Sequence, residues 1–362
     1  MAADKPANLS SRQQQVMRAT VRHYVTTAEP VASKALLKAF DLNVSAATIR
    51  NVMGALERAG FLYQPHTSAG RVPSDSGYRL YVDELIEPSQ PTAQRIDRLL
   101  SQQLKWQGWS VEALLQEAAQ ILAHLSGYVA LVTLPQLEKM VVKHLQLVQI
   151  DTEQVLLVVV LDGYGSESMV VRLPQGTTGI GETSETRDLN RELQILSNFL
   201  TTQLCGRPLT KISTLDWDEI DTAEHHVLAL CHAIDGLTQR KRHPHTHILV
   251  TGMADVLSQP EFATQGQLRN LVALLADDRE QLWPLMCADE HHPLKIWIGQ
   301  ENPLEPMQGC ALIAAPYNRD SMPVGSVGVM GPTRMLYEDT IAAVEATSSY
   351  LSEIMSGLDV KQ

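Results

Sequence analysis

The chain has 362 residues, of which 44% are apolar, and its 41 acidic and 29 basic side chains give a formal net charge of −12. That length has room for two or three domains with separate cores, while the acidic total, taken alone, argues against a nucleic-acid-binding protein. The longest apolar run, residues 155–161, is far shorter than the roughly 18–20 residues that span a bilayer, so we expect no membrane segment.

The basic residues are concentrated near the amino terminus. Residues 5–82 hold ten Lys or Arg and four acids, a net charge of +6, so the remaining residues carry −18. A basic unit on an acidic body directs phosphate binding to one end of a molecule. The alternative is ordinary variation in surface charge.

The first two predicted helices are short and well delimited. The first covers about residues 10–27, where Ser10 and Gln13 form a capping box and apolar residues recur on one side. The segment that connects this helix to the next ends at Pro30, and a second helix is predicted to begin near Ser33.

The third predicted helix has two contrasting faces. Ser45 is a favourable N-cap and Gly60 a favourable residue just past the carboxyl end. Its apolar stripe, at i, i+3, i+4 and i+7, is Ile49, Val52, Met53 and Leu56. The opposite face carries small, amide or cationic residues, namely Ala47, Arg50, Asn51, Gly54 and Arg58. A helix of this kind suits the major groove of DNA.

A hairpin and a fourth helix are predicted after Gly60. Residues 61–63 and 71–73 are short strand candidates, separated by a turn-rich loop over residues 64–70. Residues 75–86 follow as a helix. Two helices joined by a tight turn and followed by a hairpin predict a winged helix-turn-helix DNA-binding domain.

Candidate DNA contacts lie on the outward face of the third helix, before it and in the loop. Arginine suits guanine and asparagine suits adenine, so we expect Arg50 and Asn51 to reach base edges. Ala47 is expected to touch a thymine methyl group, and Gly54 to allow close backbone approach. Taken singly, each residue is better interpreted as a solvated surface side chain, but together, at matched spacing, they favour DNA contact. The remaining candidates, most of them assigned to phosphates, are Ser33, Lys34, Ser45, Thr48, His66, Thr67, Ser68, Arg71 and Arg79.

The rest of the chain has an α+β pattern. After a linker at residues 87–92, helices are predicted at about 110–126, within 185–242 and at 337–355. The predicted strands are residues 127–135, 141–150, 154–161, 168–173, 246–251, 294–298, 311–314 and 324–330. The strand at 154–161 is a continuous β-branched run, which is typical of a centrally buried strand.

Several stretches resemble the bacterial HrcA family of heat-inducible transcription repressors. They are ATIRN, LERAGFL, QPHTSAGRVP, GYRLYVDEL, IGQEN, CALIAAPY and VGSVGVMGPTRMLYE. The resemblance implies a winged helix-turn-helix at residues 1–87, a linker and helix at 88–109, and a GAF-like domain at 110–137 and 244–362. It also implies an inserted dimerisation domain at residues 138–243.

The same resemblance implies a function. Family members repress chaperone operons by binding double-stranded DNA at an inverted repeat, the CIRCE element, as homodimers, and GroEL maintains the active repressor. We therefore expect a cytoplasmic repressor; the lack of an apolar secretion signal in MAADKPANLSS agrees. The alternative is a winged-helix regulator that responds to a small molecule bound in the GAF-like domain.

No catalytic, metal or cofactor site is expected. Cys205, Cys231, Cys287 and Cys310 are far apart and are interpreted as buried thiols. The glycines of VGSVGVMGP lack the lysine of a P-loop, so a hairpin with close backbone packing is favoured. The alternating histidines of RKRHPHTH lack a nearby Cys or carboxylate ligand, which argues against a metal site. No nucleophile–base arrangement appears, so we expect no enzyme.

Overall fold

The computed structural model of the chain describes residues 9–67, 69–104, 110–135, 141–151, 154–161, 166–172, 185–208, 211, 248–254, 265–287 and 294–357. Within these residues the chain mixes helices and strands, which confirms the α+β class. No helix of this part of the chain is long and apolar enough to cross a membrane.

Helices precede, separate and follow the strands of this part of the chain. The helices are α1 (Ser11–Thr27), α2 (Ser33–Ala39), α3 (Ala46–Arg58), α4 (Asp75–Leu80), α5 (Gln90–Gln103), α6 (Val111–Ser126), α7 (Glu185–Leu204), α8 (Gln265–Ala276) and α9 (Tyr337–Gly357). Short helical turns occur at Arg279–Leu282, Trp283–Met286, Gly299–Glu301 and Glu305–Met307. The strands are β1 (Leu62–Tyr63), β2 (Val72–Pro73), β3 (Val129–Thr133), β4 (Val142–Gln149), β5 (Gln154–Leu161), β6 (Ser166–Arg172), β7 (Ile248–Thr251), β8 (Lys295–Ile298), β9 (Cys310–Arg319) and β10 (Met322–Pro332).

Helices α1 to α4 and the β1–β2 hairpin form the amino-terminal unit. The capping box of α1 is confirmed, because the Ser10 amide donates to Gln13 Oε1 at 2.9 Å and the Gln13 amide donates to Ser10 Oγ at 3.4 Å. The predicted helices before and after the turn at residues 41–43 are confirmed as α2 and α3. Strands β1 and β2 pair antiparallel, with Leu62 opposite Pro73.

The fourth predicted helix changes its hydrogen-bonding pattern part-way. It is α-helical from Asp75 to Leu80 and continues as one π-helical turn, Tyr81–Leu85. Such turns are insertions into an α-helix and leave no periodicity signal in a short sequence window. Helix α5 begins at Gln90, with Pro91 in its first turn. The linker is therefore shorter than the predicted residues 87–92.

A five-stranded antiparallel sheet forms the centre of the body, in the order β7-β3-β10-β9-β8. Strands β9 and β10 are longer than predicted and meet at a tight turn where Asp320 and Ser321 both have positive φ. The glycines of β10 allow close packing: a Cβ at Gly328 would meet the Ile313 carbonyl oxygen at 2.7 Å. The hairpin interpretation of VGSVGVMGP is therefore confirmed.

A separate three-stranded sheet has the order β4-β5-β6. Strand β5 is central, as predicted, but only alternate residues are buried, so the sheet has one covered face and one open face. Helix α7 lies along strand β4, where the Thr201 hydroxyl donates to the Leu145 carbonyl at 2.8 Å. The Leu147 amide donates to the Ser197 hydroxyl at 2.9 Å. The expected burial of β5 therefore holds on one face of the sheet.

The cysteines differ in burial. Cys310 is buried, and burial raises the pKa of its thiol to about 12. Cys287 is half-buried and Cys205 is exposed, so the prediction of buried thiols is wrong for Cys205. Cys231 and the histidines of RKRHPHTH lie outside the described residues.

We expect Gly77→Ala to destabilise the protein by about 1–3 kcal/mol, because the new methyl group would collide with the Phe61 carbonyl and the Met17 side chain. The matched control is Gly54→Ala in α3, where the nearest atom is Arg58 Nη1 at 3.7 Å. That variant gains helix propensity and is expected to stabilise by up to about 1 kcal/mol. Thermal or urea unfolding measures the stability of both variants. Equal changes in the free energy of unfolding would contradict the close contact inferred at Gly77.

Candidate nucleic-acid interface

Helix α3 is held firmly at its start and along its inner face. The Ser45 hydroxyl accepts a hydrogen bond from the Thr48 amide at 3.1 Å, which satisfies one of the free amides of the first turn. Ile49, Met53 and Leu56 are buried against the amino-terminal core. This confirms the predicted cap and apolar stripe, in which Val52 is half-buried.

The outer face of α3 presents donors to solvent. Ala47, Arg50 and Asn51 are exposed, and Gly54 is half-buried. Neither Arg50 nor Asn51 has a hydrogen-bond or ion-pair partner among the described residues. An exposed arginine and amide on consecutive positions of a fixed helix are free to read base edges. Thr48 is half-buried, and its hydroxyl lies 2.9 Å from that of Ser45.

The start of helix α2 offers one of its two predicted phosphate contacts. Lys34 is exposed, whereas Ser33 is buried, with 7% of its surface accessible. A side chain buried to that extent cannot reach a phosphate without rearrangement, so Ser33 is better described as part of the core. The backbone beside it is tied to the hairpin: the Val31 amide donates to the Arg71 carbonyl at 2.8 Å, and the Arg71 amide to the Val31 carbonyl at 2.9 Å.

The loop between β1 and β2 is braced from inside. The Gln64 side-chain amide donates to the Thr67 carbonyl at 2.9 Å and to the Ala69 carbonyl at 2.8 Å. His66 and Thr67 are exposed at its tip, as their predicted phosphate role requires. Ser68, also predicted to contact DNA, lies outside the described residues. Sequence reasoning missed the bracing by Gln64, because a polar loop residue gives no sign of its partners.

Arg71 joins the hairpin to helix α3. Its Nε and Nη2 atoms each lie 2.9 Å from Glu57 Oε2. The pair is partly screened from water, since 23% of the Arg71 side chain and 32% of the Glu57 side chain are accessible. Arg71 therefore fixes the hairpin against α3, and its charge is partly neutralised. Glu57 was not predicted to matter, since its sequence position is that of an ordinary exposed helix residue.

Arg79 is not part of this surface, which corrects its inclusion among the DNA contacts. Its Nε donates to Glu301 Oε1 at 2.9 Å, its Nη2 donates to the Ile296 carbonyl at 2.6 Å, and its Nη1 pairs with Asp83 at 3.2 Å. All three guanidinium nitrogens are therefore engaged in contacts within the chain. The partner Glu301 is 222 positions away, so local sequence patterns could not reveal it.

The described part of the chain contains no cluster of three or more His, Cys, Asp or Glu side chains placed to hold a metal ion.

The surface described above consists of a capped helix with free donors and a braced hairpin loop beside it. Such a surface can bind the phosphates and base edges of a duplex.

Comparison with known proteins gives one consistent result. A family model described as HrcA protein C terminal domain matches residues 112–341. The chain is 49% identical to the heat-inducible transcription repressor HrcA of Cyanothece sp., over 96% of this chain and 98% of the relative. It is 50% identical to the repressor of the same name from Trichormus variabilis, over 96% and 99% of the two chains.

One solved structure has a similar fold. It is described as a hypothetical protein at 2.2 Å resolution, and it matches with a TM-score of 0.63 and 22% sequence identity. The match covers 97% of this chain and 100% of that chain. At this identity the likeness concerns the fold alone.

We expect Arg50→Ala to weaken binding to a duplex selected from a random pool by about 1–3 kcal/mol and to relax the preference at one base pair. The matched control is Arg269→Ala, which removes an equal charge from an exposed position on helix α8 of the body. Fluorescence anisotropy with the selected duplex and its single-base variants measures both effects. An unchanged base preference in Arg50→Ala would remove Arg50 from direct readout.

Proposed function

The chain belongs to the HrcA family of heat-inducible transcription repressors, and we propose that it silences chaperone operons by binding the CIRCE inverted repeat as a homodimer. Transcriptional repression of heat-shock genes is the function that its relatives' names support. The single observation that carries the DNA-binding mode is the exposed face of α3, where Arg50 and Asn51 stand free on a capped and buried helix.

We interpret the amino-terminal unit as a winged helix-turn-helix. Helices α2 and α3 form the helix pair, and α3 is the recognition helix that enters the major groove. The β1–β2 hairpin is the wing, and its exposed His66 and Thr67 lie along the phosphate backbone. In this arrangement Lys34, at the start of α2, adds a phosphate contact that positions the domain without reading sequence.

The body is proposed to be a GAF-like domain with an insertion at residues 138–243. The position of strands β3 and β7 supports this division. The chain leaves the five-stranded sheet after β3 and re-enters it in β7, and these two strands pair side by side, with Thr133 opposite Ile248. An inserted domain whose two ends lie next to each other leaves the parent sheet intact.

The open face of the three-stranded sheet is proposed as the dimer contact. Val148, Leu156 and Val170 lie opposite one another in one row across β4, β5 and β6. Val148 is 42% exposed and Val170 is 51% exposed, while Leu156 is half-buried. Contiguous apolar side chains on an open sheet face favour association with a second copy, and a twofold dimer matches the symmetry of an inverted repeat.

Two switches are consistent with this repressor. In the first, GroEL maintains the active form in the cytoplasm, so chaperone demand controls transcription; this partner is proposed from the family resemblance alone. In the second, a small molecule binds the body. A cavity of about 700 Å³ between the body and the amino-terminal unit, lined by Val82, Trp297 and Ile341, is large enough for one. A true ligand in a metabolite panel would raise the melting temperature by mass action, whereas GroEL supply would not require one.

We expect the purified protein to bind an inverted-repeat duplex about 10³-fold or more tightly than a scrambled duplex, with steep salt dependence, because sequence readout adds to phosphate binding. Anisotropy titrations across a salt series measure this, with GroEL added in a parallel series. Equal weak binding to both duplexes, with and without GroEL, would reject the proposed function.

We expect Leu156→Lys to convert the dimer to a monomer, because it places a charge in the centre of the open apolar face. Operator affinity should then fall toward that of a single half-site. Met322→Lys is the matched control, since Met322 is 59% exposed at the end of the β9–β10 hairpin and outside the insertion. Light scattering measures the mass, and a Leu156→Lys dimer would place the contact elsewhere.

A further inference from the structure

Several polar side chains form contacts between the amino-terminal unit and the body. They surround helix α4 and its π-helical turn, which face the end of β8 and the start of α9. The Gln300 backbone amide donates to Asp75 Oδ2 at 2.9 Å, and the Arg334 guanidinium donates to the Val25 carbonyl at 2.7 Å. Two carboxylates of the body, Glu301 and Glu338, make the remaining charged contacts described below.

Glu301 holds α4 through Arg79. Both nitrogens of one edge of the guanidinium, Nε and Nη2, contact the two carboxylate oxygens of Glu301. Glu301 Oε2 also accepts a hydrogen bond from the Ile298 amide at 3.0 Å, which fixes the carboxylate at the end of β8. Two-point pairing of this kind defines direction as well as distance, so it restrains the angle between α4 and the sheet.

Glu338 holds the next turn of the same segment. Its Oε1 accepts hydrogen bonds from the Tyr81 hydroxyl at 2.5 Å and from Arg22 Nε at 3.2 Å. Burial and the contact with Glu338 raise the pKa of Tyr81, so this hydroxyl remains a donor at neutral pH. One carboxylate in the first turn of α9 therefore joins α1 and the π-helical turn.

Buried aromatic side chains pack between these two contacts. The Tyr78 and Tyr337 rings meet with centroids 5.7 Å apart, and the buried Tyr78 hydroxyl has no hydrogen-bond partner among the described residues. One cavity of about 700 Å³ lies between Val82 and Trp297, and another of about 610 Å³ is lined by Phe40 and Leu336. Arg79 and Glu301 line the first cavity, and Arg22 and Glu338 line the second, so the two carboxylate contacts lie at the edges of the aromatic packing.

Hydrogen bonds of Ser74 couple the orientation of α4 to that of α3, the proposed recognition helix. The Ser74 hydroxyl accepts a hydrogen bond from the Gly77 amide at 3.1 Å and donates to the Gly60 carbonyl at 2.6 Å. The Ser74 amide donates to the Phe61 carbonyl at 3.1 Å. Since Gly60 directly follows the last turn of α3, α3 and α4 are joined at one point and turn together.

We propose that Glu301 and Glu338 are positioning residues for operator binding: they set the angle at which the body presents recognition helix α3 to DNA. The inference rests on the proposed function as a dimeric repressor. A dimer engages two half-sites at once only if its two recognition helices have the separation and angle that the operator requires. Neither carboxylate needs to touch DNA for this role.

The test compares a full inverted repeat, a single half-site and a series of repeats with altered spacing. In Glu301→Gln and Glu338→Gln, half-site affinity should stay within about twofold of the unaltered protein, while affinity for the full repeat should fall about tenfold or more. The preference for one spacing should also flatten. Glu305→Gln removes the same charge from an exposed position of the body and should change none of these values.

A second variant guards against a general loss of stability. Arg79→Lys keeps the positive charge but not the two-point contact, so it should reduce full-repeat affinity while leaving half-site affinity intact. Equal losses on half-site and full repeat, or unchanged spacing preference in all three variants, would overturn the inference. If the unaltered protein does not distinguish the inverted repeat from a scrambled duplex, the proposed function fails and this inference fails with it.

Discussion

Burial of the apolar stripe of α3 determines what the amino-terminal unit can offer to a partner. Because successive residues of an α-helix are about 100° apart, placing Ile49, Met53 and Leu56 in the core directs Arg50 and Asn51 to the outside. The Ser45 cap fixes where this helix begins, and the braced hairpin lies next to it. The surface that we propose faces DNA is therefore a consequence of core packing.

The distribution of charge also distinguishes the amino-terminal unit from the body. The net positive charge of the amino-terminal unit favours phosphate binding there, and the negative charge of the body disfavours it elsewhere. Within the molecule, the same contrast in sign supplies the contacts that join the two parts. Arg22 and Arg79 lie on the amino-terminal side and meet carboxylates of the body. Some arginines of the amino-terminal unit therefore pair with carboxylates within the molecule, and others remain exposed to solvent.

Local signals predicted much of the fold, and distant contacts account for most of the errors. The Ser10 and Ser45 caps and the periodicity of α3 involve residues close together in the chain, so they could be recognised directly. Arg79 was misassigned because its partner Glu301 is far away in the chain. Strand β5 was expected to be centrally buried, but an all-apolar run does not tell whether a second layer covers each face of the sheet.

The pairing of Thr133 with Ile248 has a consequence for how such a chain can evolve. The body closes its own sheet at that point, whatever lies between the two strands. Loop-closure entropy grows only slowly with length, so residues can be gained or lost between them at little cost to the body. The segment that we assign to self-association can thus diverge in size without disturbing the sheet of the body.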